Sequence, residues 1–250
     1  MKFSIITTTY KRPIELLRAI NSVLLQDYKH WEMIIVNDSP DFDYSSIEKS
    51  DILKDERIKY FKNGENKGLN YARNIALVNI SADSNYTIIL DDDDYFNTEC
   101  LSEATKIIKE NPNYNWYVSN RTYENGDKIT INGTNRNTID YIIDYLIFKR
   151  FRGDATHIIS TKYKSIRFPK KVKQEEQWMY FAQIQEKFYY YNFNSTISKS
   201  YSDLGLTKAH KSIKTKLDYT FESYKELFSL NFFNPLIWFI YLPLKMVAII

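Results

Sequence analysis

The sequence is poor in cysteine, histidine and glycine for a chain of 250 residues. Cys100 is the single cysteine, which excludes an internal disulfide framework and is typical of a reducing compartment. No Gly-x-Gly-x-x-Gly motif follows a predicted strand, so the sequence disfavours a dinucleotide-dependent dehydrogenase. The formal net charge of +3 is too small to indicate a nucleic-acid-binding protein. We expect no signal peptide, because Met1 and Lys2 lead directly into a strand-like segment.

Apolar segments rich in β-branched residues predict four strands in the first hundred residues, at 3–7, 31–36, 58–61 and 87–90. Between them, apolar residues recur at helical spacing, and Pro13 suits the first turn of a helix. Strands that alternate with helices are joined by right-handed crossovers and form a mainly parallel sheet. The sequence therefore predicts an α/β fold.

Four consecutive carboxylates, Asp91 to Asp94, follow the fourth predicted strand. Their mutual repulsion needs an offset, either a bound divalent cation or an array of hydrogen-bond donors. Ligands that offer only oxygen atoms suit Mg²⁺ or Mn²⁺. Because parallel strands end at one edge of a sheet, we expect Thr8 to Tyr10 and Asp38 to lie near these carboxylates. A solvated acidic turn that ends the strand is the structural alternative.

Four blocks of polar and apolar residues stand in the first hundred positions: Ser4 to Arg12, Ile34 to Ser39, Asn66 to Asn74, and Leu90 to Asp94. In order and spacing they resemble the family 2 glycosyltransferases of the GT-A fold, of the type that assembles bacterial polysaccharides. The resemblance implies a nucleotide-sugar donor, usually a UDP-sugar, together with Mn²⁺ or Mg²⁺ and transfer with inversion. It also implies a Rossmann-like nucleotide-sugar-binding half at 1–100 and an acceptor-binding half at 101–215. The apolar residues near the C-terminus separately predict a helical tail at 216–250, a candidate for association with a membrane.

The resemblance assigns a role to each residue that matches a family motif. Thr8 and Tyr10 would line the uracil pocket, Asp38 would accept a hydrogen bond from the base, Arg73 would face the base or the phosphates, Asp91 and Asp92 would contact the ribose, and Asp93 would bind the metal ion. Each has a simpler alternative: strand-end residues for the first pair, an ordinary turn for Asp38 and a surface position on a helix for Arg73. For Asp94 we favour capping of a helix predicted to begin near Thr98.

The acidic segment from Gln174 to Trp178 is the second chemical feature. Inverting transfer needs a base that removes the proton of the acceptor hydroxyl, and a carboxylate is the common choice. Family members usually carry a Glu-Asp pair here, with the Asp as base. The resemblance therefore implies Glu176 as the base, and Glu175 is the second candidate for that role. An acidic first turn of a helix is the structural alternative.

Four residues of the second half have weaker assignments. Asp154, His157 and Trp178 are candidates for the acceptor side, and a hydrogen-bonded, partly buried histidine is the favoured alternative for His157. Many relatives supply a late histidine to the metal or the diphosphate, and His210 is the candidate here. Its neighbours include several lysines that could contact phosphates or an anionic membrane surface.

The rest of the second half predicts strands at 116–119 and 128–131 and a helix at 137–149. The stretch 231–250 is nearly all apolar, but Pro235, Pro243 and Lys245 interrupt the run of about 20 residues that a membrane-spanning helix needs. We expect a segment that lies in a membrane interface, which would place a cytoplasmic protein on the inner face of the plasma membrane. Packing on the catalytic domain or on a partner subunit is the alternative.

The function that the resemblance implies is transfer of a sugar from a nucleotide diphosphate to a hydroxyl of a glycan or a polyprenyl-diphosphate-linked oligosaccharide. Two other classes stay open. One is a relative that binds a sugar nucleotide without transferring it, because a glutamate replaces the usual aspartate base. The other is a nucleotidyltransferase, which typically has a glycine-rich loop after the first strand, whereas Thr8 to Pro13 contains no glycine.

Overall fold

The chain alternates strands and helices, and the computed structural model describes residues 1–170, 177–199, 213–229 and 232–247. In chain order, the strands are β1 (Phe3–Thr9), β2 (Trp31–Asn37), β3 (Ile58–Lys62), β4 (Tyr86–Ile89), β5 (Asp94–Phe96), β6 (Trp116–Tyr123), β7 (Ile131–Asn132), β8 (Thr138–Ile139), β9 (Phe151–Arg152), β10 (Ala155–Ser160) and β11 (Phe188–Ser198). The α-helices are α1 (Pro13–Leu24), α2 (Ser45–Glu48), α3 (Leu69–Val78), α4 (Cys100–Glu110), α5 (Gln177–Ala182), α6 (Ile213–Ser229) and α7 (Leu242–Val247). Two π-helical segments span Tyr141–Ile147 and Ile237–Tyr241.

Four parallel strands form the first half of the central sheet. They lie in the order β3-β2-β1-β4, with α1 connecting β1 to β2 and α3 connecting β3 to β4. Every residue of β1 and β2 is buried, as expected for parallel strands with helices on both faces. The prediction of an α/β fold with a mainly parallel sheet is confirmed for this half.

The second half of the sheet is mixed. β10 is antiparallel to both β4 and β6, β11 is parallel to β6, and the short β5 closes the edge antiparallel to β11. The pairing of β5 with β11 is important for the site, because it joins Asp94 and the two residues after it to the second half of the sheet.

The core lies in two layers, one on each face of the sheet. Ile5 belongs to the buried cluster that includes Leu16 and Ile20 of α1. Its neighbour Ile6 belongs to the opposite cluster, which includes Ala72 and Ala76 of α3. Successive side chains of a strand point to opposite faces, so a continuous apolar strand serves both layers.

Two predicted elements of the second half are wrong in part. The helix predicted over 137–149 begins only at Tyr141, because Thr138 and Ile139 instead pair with β11 and the Asp140 side chain accepts a hydrogen bond from the backbone of Ile143. The strand predicted over 128–131 is reduced to a single bridge at Lys128 and the two residues of β7. Helical and strand periodicity overlap in short apolar runs, and cross-strand pairing decides between them.

The described part of the C-terminal tail packs on the domain with one side and exposes the other. Ile237 and Leu242 are fully buried in the same core layer as α3. Phe239 and Val247 are 72% and 71% exposed. Among the described residues no helix is both long and apolar enough to cross a membrane.

Candidate functional site

The ends of β1, β2 and β4 meet at one edge of the sheet. Thr9 pairs with Asn37, and the backbone N–H of Asp38 donates to the Thr9 carbonyl at 2.9 Å. The backbone N–H of Leu90 donates to the Ile6 carbonyl at 3.0 Å, so the chain that follows β4 leaves the sheet beside the end of β1. The structure thus brings together the polar residues that the sequence places at the ends of these strands.

Asp38 holds the loop that leads into α3. Its carboxylate accepts hydrogen bonds from the Asn63 side chain at 2.7 Å and from the backbone N–H groups of Lys67 and Gly68 at 3.0 and 2.7 Å. Gly68 has a φ of +89°, a conformation that glycine adopts without steric cost. Asp38 is 3% exposed, and its buried carboxylate fixes the loop from Asn63 to Gly68, which forms one wall of the site.

Thr8 lies near the end of β1, where it pairs with Val36 of β2, and Tyr10 directly follows the strand. Thr8 is nearly buried, whereas the Tyr10 ring is 45% exposed and carries the Lys11 ammonium 5.0 Å from its centroid. An exposed aromatic ring beside a cation offers a flat face on which a nucleotide base can stack. The predicted role of Tyr10 in base binding is compatible with this placement.

Asp91 is paired with two arginines. Arg73 Nη2 lies 2.8 Å from Asp91 Oδ1, and Arg121 Nη2 lies 3.4 Å from Asp91 Oδ2. Burial raises the pKa of Asp91, but the two guanidinium groups outweigh it and hold the pKa below its ordinary value. Arg73 is 1% exposed, so the alternative of a surface arginine is wrong. Besides its ion pair with Asp91, its guanidinium lies over the Phe168 ring, 5.3 Å from the centroid.

Asp92 and Asp93 share a third arginine, Arg12, which follows β1. Arg12 Nη1 lies 2.5 Å from Asp93 Oδ2 and 3.3 Å from Asp92 Oδ1. Burial raises the pKa of Asp92 to about 7, and the neighbouring Asp93 carboxylate adds to that shift. Arg18 of α1 donates a hydrogen bond to the Asp93 carbonyl, which fixes the backbone of the turn.

Asp94 begins β5 and does not cap a helix, so that expectation is wrong. The residue before α4 is Glu99, whose side chain makes no capping hydrogen bond. Burial raises the pKa of Asp94 to about 6, although Arg121 opposes the shift from 3.0 Å away. Pairing with β11 draws this carboxylate toward Arg121, which sequence distance alone does not reveal.

Arg121 links the two halves of the domain. It stands on β6, contacts Asp91 and Asp94, and approaches Asp154 Oδ2 to 3.9 Å. Asp154 itself is 71% exposed in its side chain. Arg12 and Arg121 were not predicted as partners of the acidic cluster, Asp91 to Asp94; the only sequence signal was that Arg12 ends the first block, Ser4 to Arg12.

The acidic cluster fits a metal ion that is shared with a ligand better than a metal ion enclosed by protein alone. No group of three or more His, Cys, Asp or Glu side chains converges on one point within the described ranges. Asp93 keeps 28% of its side chain exposed. Mg²⁺ is commonly held by one or two carboxylates together with substrate phosphates and water. A diphosphate that approaches Asp93 would complete such a donor set.

The structure places His157 on β10, partly buried against the aromatic side chains of the core. Its Nδ1 accepts a hydrogen bond from Trp116 Nε1 at 3.1 Å, and its ring stacks on Phe181 with centroids 4.1 Å apart. Burial lowers the pKa of His157 to about 3, so the ring is neutral at physiological pH. This environment corresponds to the alternative that we favoured for His157, a hydrogen-bonded, partly buried histidine.

The remaining predicted residues divide into one that is described and three that are not. Trp178 of α5 is 8% exposed and packs against Tyr241 of the tail, with ring centroids 5.0 Å apart. Glu175, Glu176 and His210 lie outside the described residues.

An α/β domain whose parallel strands end in a polar edge, followed by a mixed second half, has the architecture of the GT-A glycosyltransferases. The crystal structure of TarS from S. aureus in complex with UDP-GlcNAc has the same fold, with a TM-score of 0.72 and 19% identity over 89% of this chain and 64% of that one. The model of the family described as glycosyl transferase family 2 matches residues 4–171. The chain therefore belongs to glycosyl transferase family 2.

The two curated relatives described next each match less than half of the chain. The putative colanic acid biosynthesis glycosyl transferase WcaA of Escherichia coli is 39% identical over 99 residues, 40% of this chain and 35% of that protein. The GalNAc(5)-diNAcBac-PP-undecaprenol beta-1,3-glucosyltransferase of Campylobacter jejuni is 35% identical over 113 residues, 45% of this chain and 35% of that protein. The matched regions thus span about a third of each relative's length.

Proposed function

We propose that this protein transfers a sugar from a nucleotide diphosphate, most simply a UDP-sugar, to a hydroxyl of a glycan or lipid-linked oligosaccharide during synthesis of a cell-surface polysaccharide. The observation that carries the proposal is the convergence of Thr8, Asp38 and the acidic cluster at one edge of the parallel sheet. UDP-GlcNAc is a ligand of the structurally similar TarS. The curated relatives named above include enzymes of colanic acid and lipid-linked glycan synthesis.

The proposed donor lies across the polar edge. Its base stacks on Tyr10 beside the wall that Asp38 holds, its ribose faces Asp91 and Asp92, and its diphosphate lies over Asp93. Asp93 would hold Mn²⁺ or Mg²⁺, which would neutralise the charge that develops on the leaving diphosphate. Buried arginines already fix Asp91, so the carboxylates that face the donor are held in place before it binds.

The proposed reaction is a single displacement. Glu176 removes the proton of the acceptor hydroxyl while that oxygen forms a bond to the anomeric carbon. The bond from the anomeric carbon to the diphosphate oxygen breaks, and the nucleotide diphosphate departs with the electron pair. Attack on the face opposite the leaving group inverts the anomeric configuration. Asp154, exposed beside Arg121, is the described carboxylate that can orient the acceptor.

The experiment is a panel of nucleotide sugars with Mn²⁺, scored first by protection against thermal unfolding and then by turnover. The Glu176→Gln variant should keep the donor's protection while its turnover falls at least about a hundredfold, the usual size of a general-base contribution. Glu175→Gln tests the second candidate for the base: it should retain most of the activity, and a collapse of turnover in this variant instead of Glu176→Gln would assign the base to Glu175. Protection without turnover in the wild type would instead indicate a binding protein, and protection by no nucleotide sugar would refute the proposal.

The proposed location is the cytoplasmic face of the plasma membrane, with the tail as the contact. Its exposed side carries Phe233, Phe239, Leu244 and Val247, and apolar side chains of this kind insert at the depth of lipid headgroups. Co-sedimentation with anionic vesicles measures this contact. The doubly substituted variant Phe233→Ser/Phe239→Ser should stay in the supernatant with its donor binding unchanged, and equal sedimentation of both proteins would exclude the tail as the contact.

A further inference from the structure

Hydrogen bonds in the turn that follows β1 fix the position of Arg12 beside the acidic cluster. The preceding residue, Lys11, has a φ of +58°, which is uncommon for a residue other than glycine. The backbone N–H of Lys11 donates to Ser39 Oγ at 2.8 Å, and that of Arg12 donates to the Tyr44 hydroxyl at 3.0 Å. Tyr44 is 1% exposed and also hydrogen-bonds Thr9, so this turn is anchored in the core. The backbone therefore directs Arg12 to the acidic cluster.

The guanidinium of Arg12 lies against the carboxylate that the proposed function gives to the metal. Its Nη1 is 2.5 Å from Asp93 Oδ2, and Arg12 keeps 34% of its side chain exposed. Asp92, the other carboxylate on this guanidinium, is 9% exposed in its side chain. A divalent cation bound to Asp93 would lie within a few ångströms of the Arg12 guanidinium, and the two positive charges would repel each other. With the geometry seen here, Asp93 cannot bind Arg12 and a divalent cation at the same time.

We propose that Arg12 and the divalent cation are alternative partners of Asp93, and that Arg12 moves from the carboxylate to the nucleotide diphosphate when the cation binds. The inference rests on the proposed function, because it assumes that a metal–diphosphate complex is the ligand of this edge. Arginine suits both states, since its planar fork pairs equally with carboxylates and with phosphates. The exchange keeps the acidic cluster neutralised before the donor arrives and makes metal binding depend on the nucleotide.

The test measures the affinities for Mn²⁺ and for UDP separately in the Arg12→Gln variant. Free Mn²⁺ is counted by electron paramagnetic resonance with and without saturating UDP, and UDP affinity is measured by calorimetry without metal. Removal of the competing guanidinium should tighten Mn²⁺ binding without nucleotide by about fivefold. This factor corresponds to the upper end of the interaction energies found for exposed ion pairs. The same variant should bind metal-free UDP more weakly by a similar factor. These opposite changes distinguish exchange from a structural role, which would weaken both affinities.

Two variants complete the experiment. Arg57→Gln removes one positive charge beside Trp31, at the far end of β2, and should leave both affinities unchanged. Arg12→Lys keeps the charge and should restore a wild-type Mn²⁺ affinity without nucleotide. Unchanged or weaker Mn²⁺ binding by Arg12→Gln overturns the exchange while leaving the proposed function intact. Failure of the wild type to bind UDP with Mn²⁺ overturns the proposed function, and the exchange with it.

Discussion

Replacement of Arg121 by methionine removes the charge that joins the two halves of the domain. The side chain is 13% exposed and lies 3.0 Å from Asp94 and 3.4 Å from Asp91. Loss of one partner from a buried ion pair typically costs about 3 to 5 kcal/mol, because it leaves an uncompensated charge. Asp91 keeps Arg73 at 2.8 Å, so we expect the Arg121→Met variant to lose about 3 kcal/mol, at the lower end of that range.

The loss should depend on pH, and its sign follows from Asp94. Burial already raises the pKa of Asp94 to about 6 in the presence of Arg121. Without the guanidinium the pKa of Asp94 rises further. Over a wider pH range, the folded variant then keeps a proton on Asp94 that the unfolded chain has lost. A folded state that binds more protons than the unfolded state loses stability as pH rises. The penalty should therefore be largest at pH 8 and smaller at pH 5, where Asp94 is protonated.

The measurement is urea unfolding of wild type and Arg121→Met at both pH values. The matched rescue is Arg121→Met combined with Asp94→Asn, which removes the uncompensated charge and should recover about half of the loss at pH 8, since neighbours in one network are not additive. A penalty of equal size at both pH values, without recovery in the double variant, would show that Arg121 acts through packing and would contradict the electrostatic argument.

Two further predictions concern positions outside the acidic cluster. Gly153 has a φ of +81°, and a Cβ there would lie 1.9 Å from the Ile129 carbonyl oxygen. Gly153→Ala should therefore lower the melting temperature and disorder the loop of Asp154, which an intact proteolysis pattern would contradict. Burial tends to raise the pKa of Glu32, but hydrogen bonds from Lys59, Ser4 and Ser81 outweigh it and lower the pKa to about 2. A depressed carboxyl pKa stabilises the fold above the unfolded value of 4.5 and ceases to do so as pH falls toward 2. Glu32→Gln should thus cost about 2 kcal/mol at pH 7, less than half of that at pH 3 and little once the pH reaches 2, as measured by chemical unfolding.

Local patterns predicted the first half of the domain well. The four strands of the parallel sheet lie within two residues of their predicted ends, because each is a continuous apolar run with a polar boundary. The convergence of Thr8, Asp38 and the acidic cluster followed from the rule that parallel strands end at one edge. The second half was harder, since Thr138 and Ile139 read as part of a helix until β11 supplied a partner.

The sequence by itself determined the α/β alternation, the edge at which the polar residues meet and the repulsion among four adjacent carboxylates that something must offset. Only the tertiary structure decided what offsets it in this chain: Arg12, Arg73 and Arg121, from three different elements, each reach the acidic cluster. Periodicity and motifs record interactions between residues that are near in sequence. Ion pairs such as that of Arg12 with Asp93 join residues far apart in the chain, and the packing of the sheet determines which ones meet.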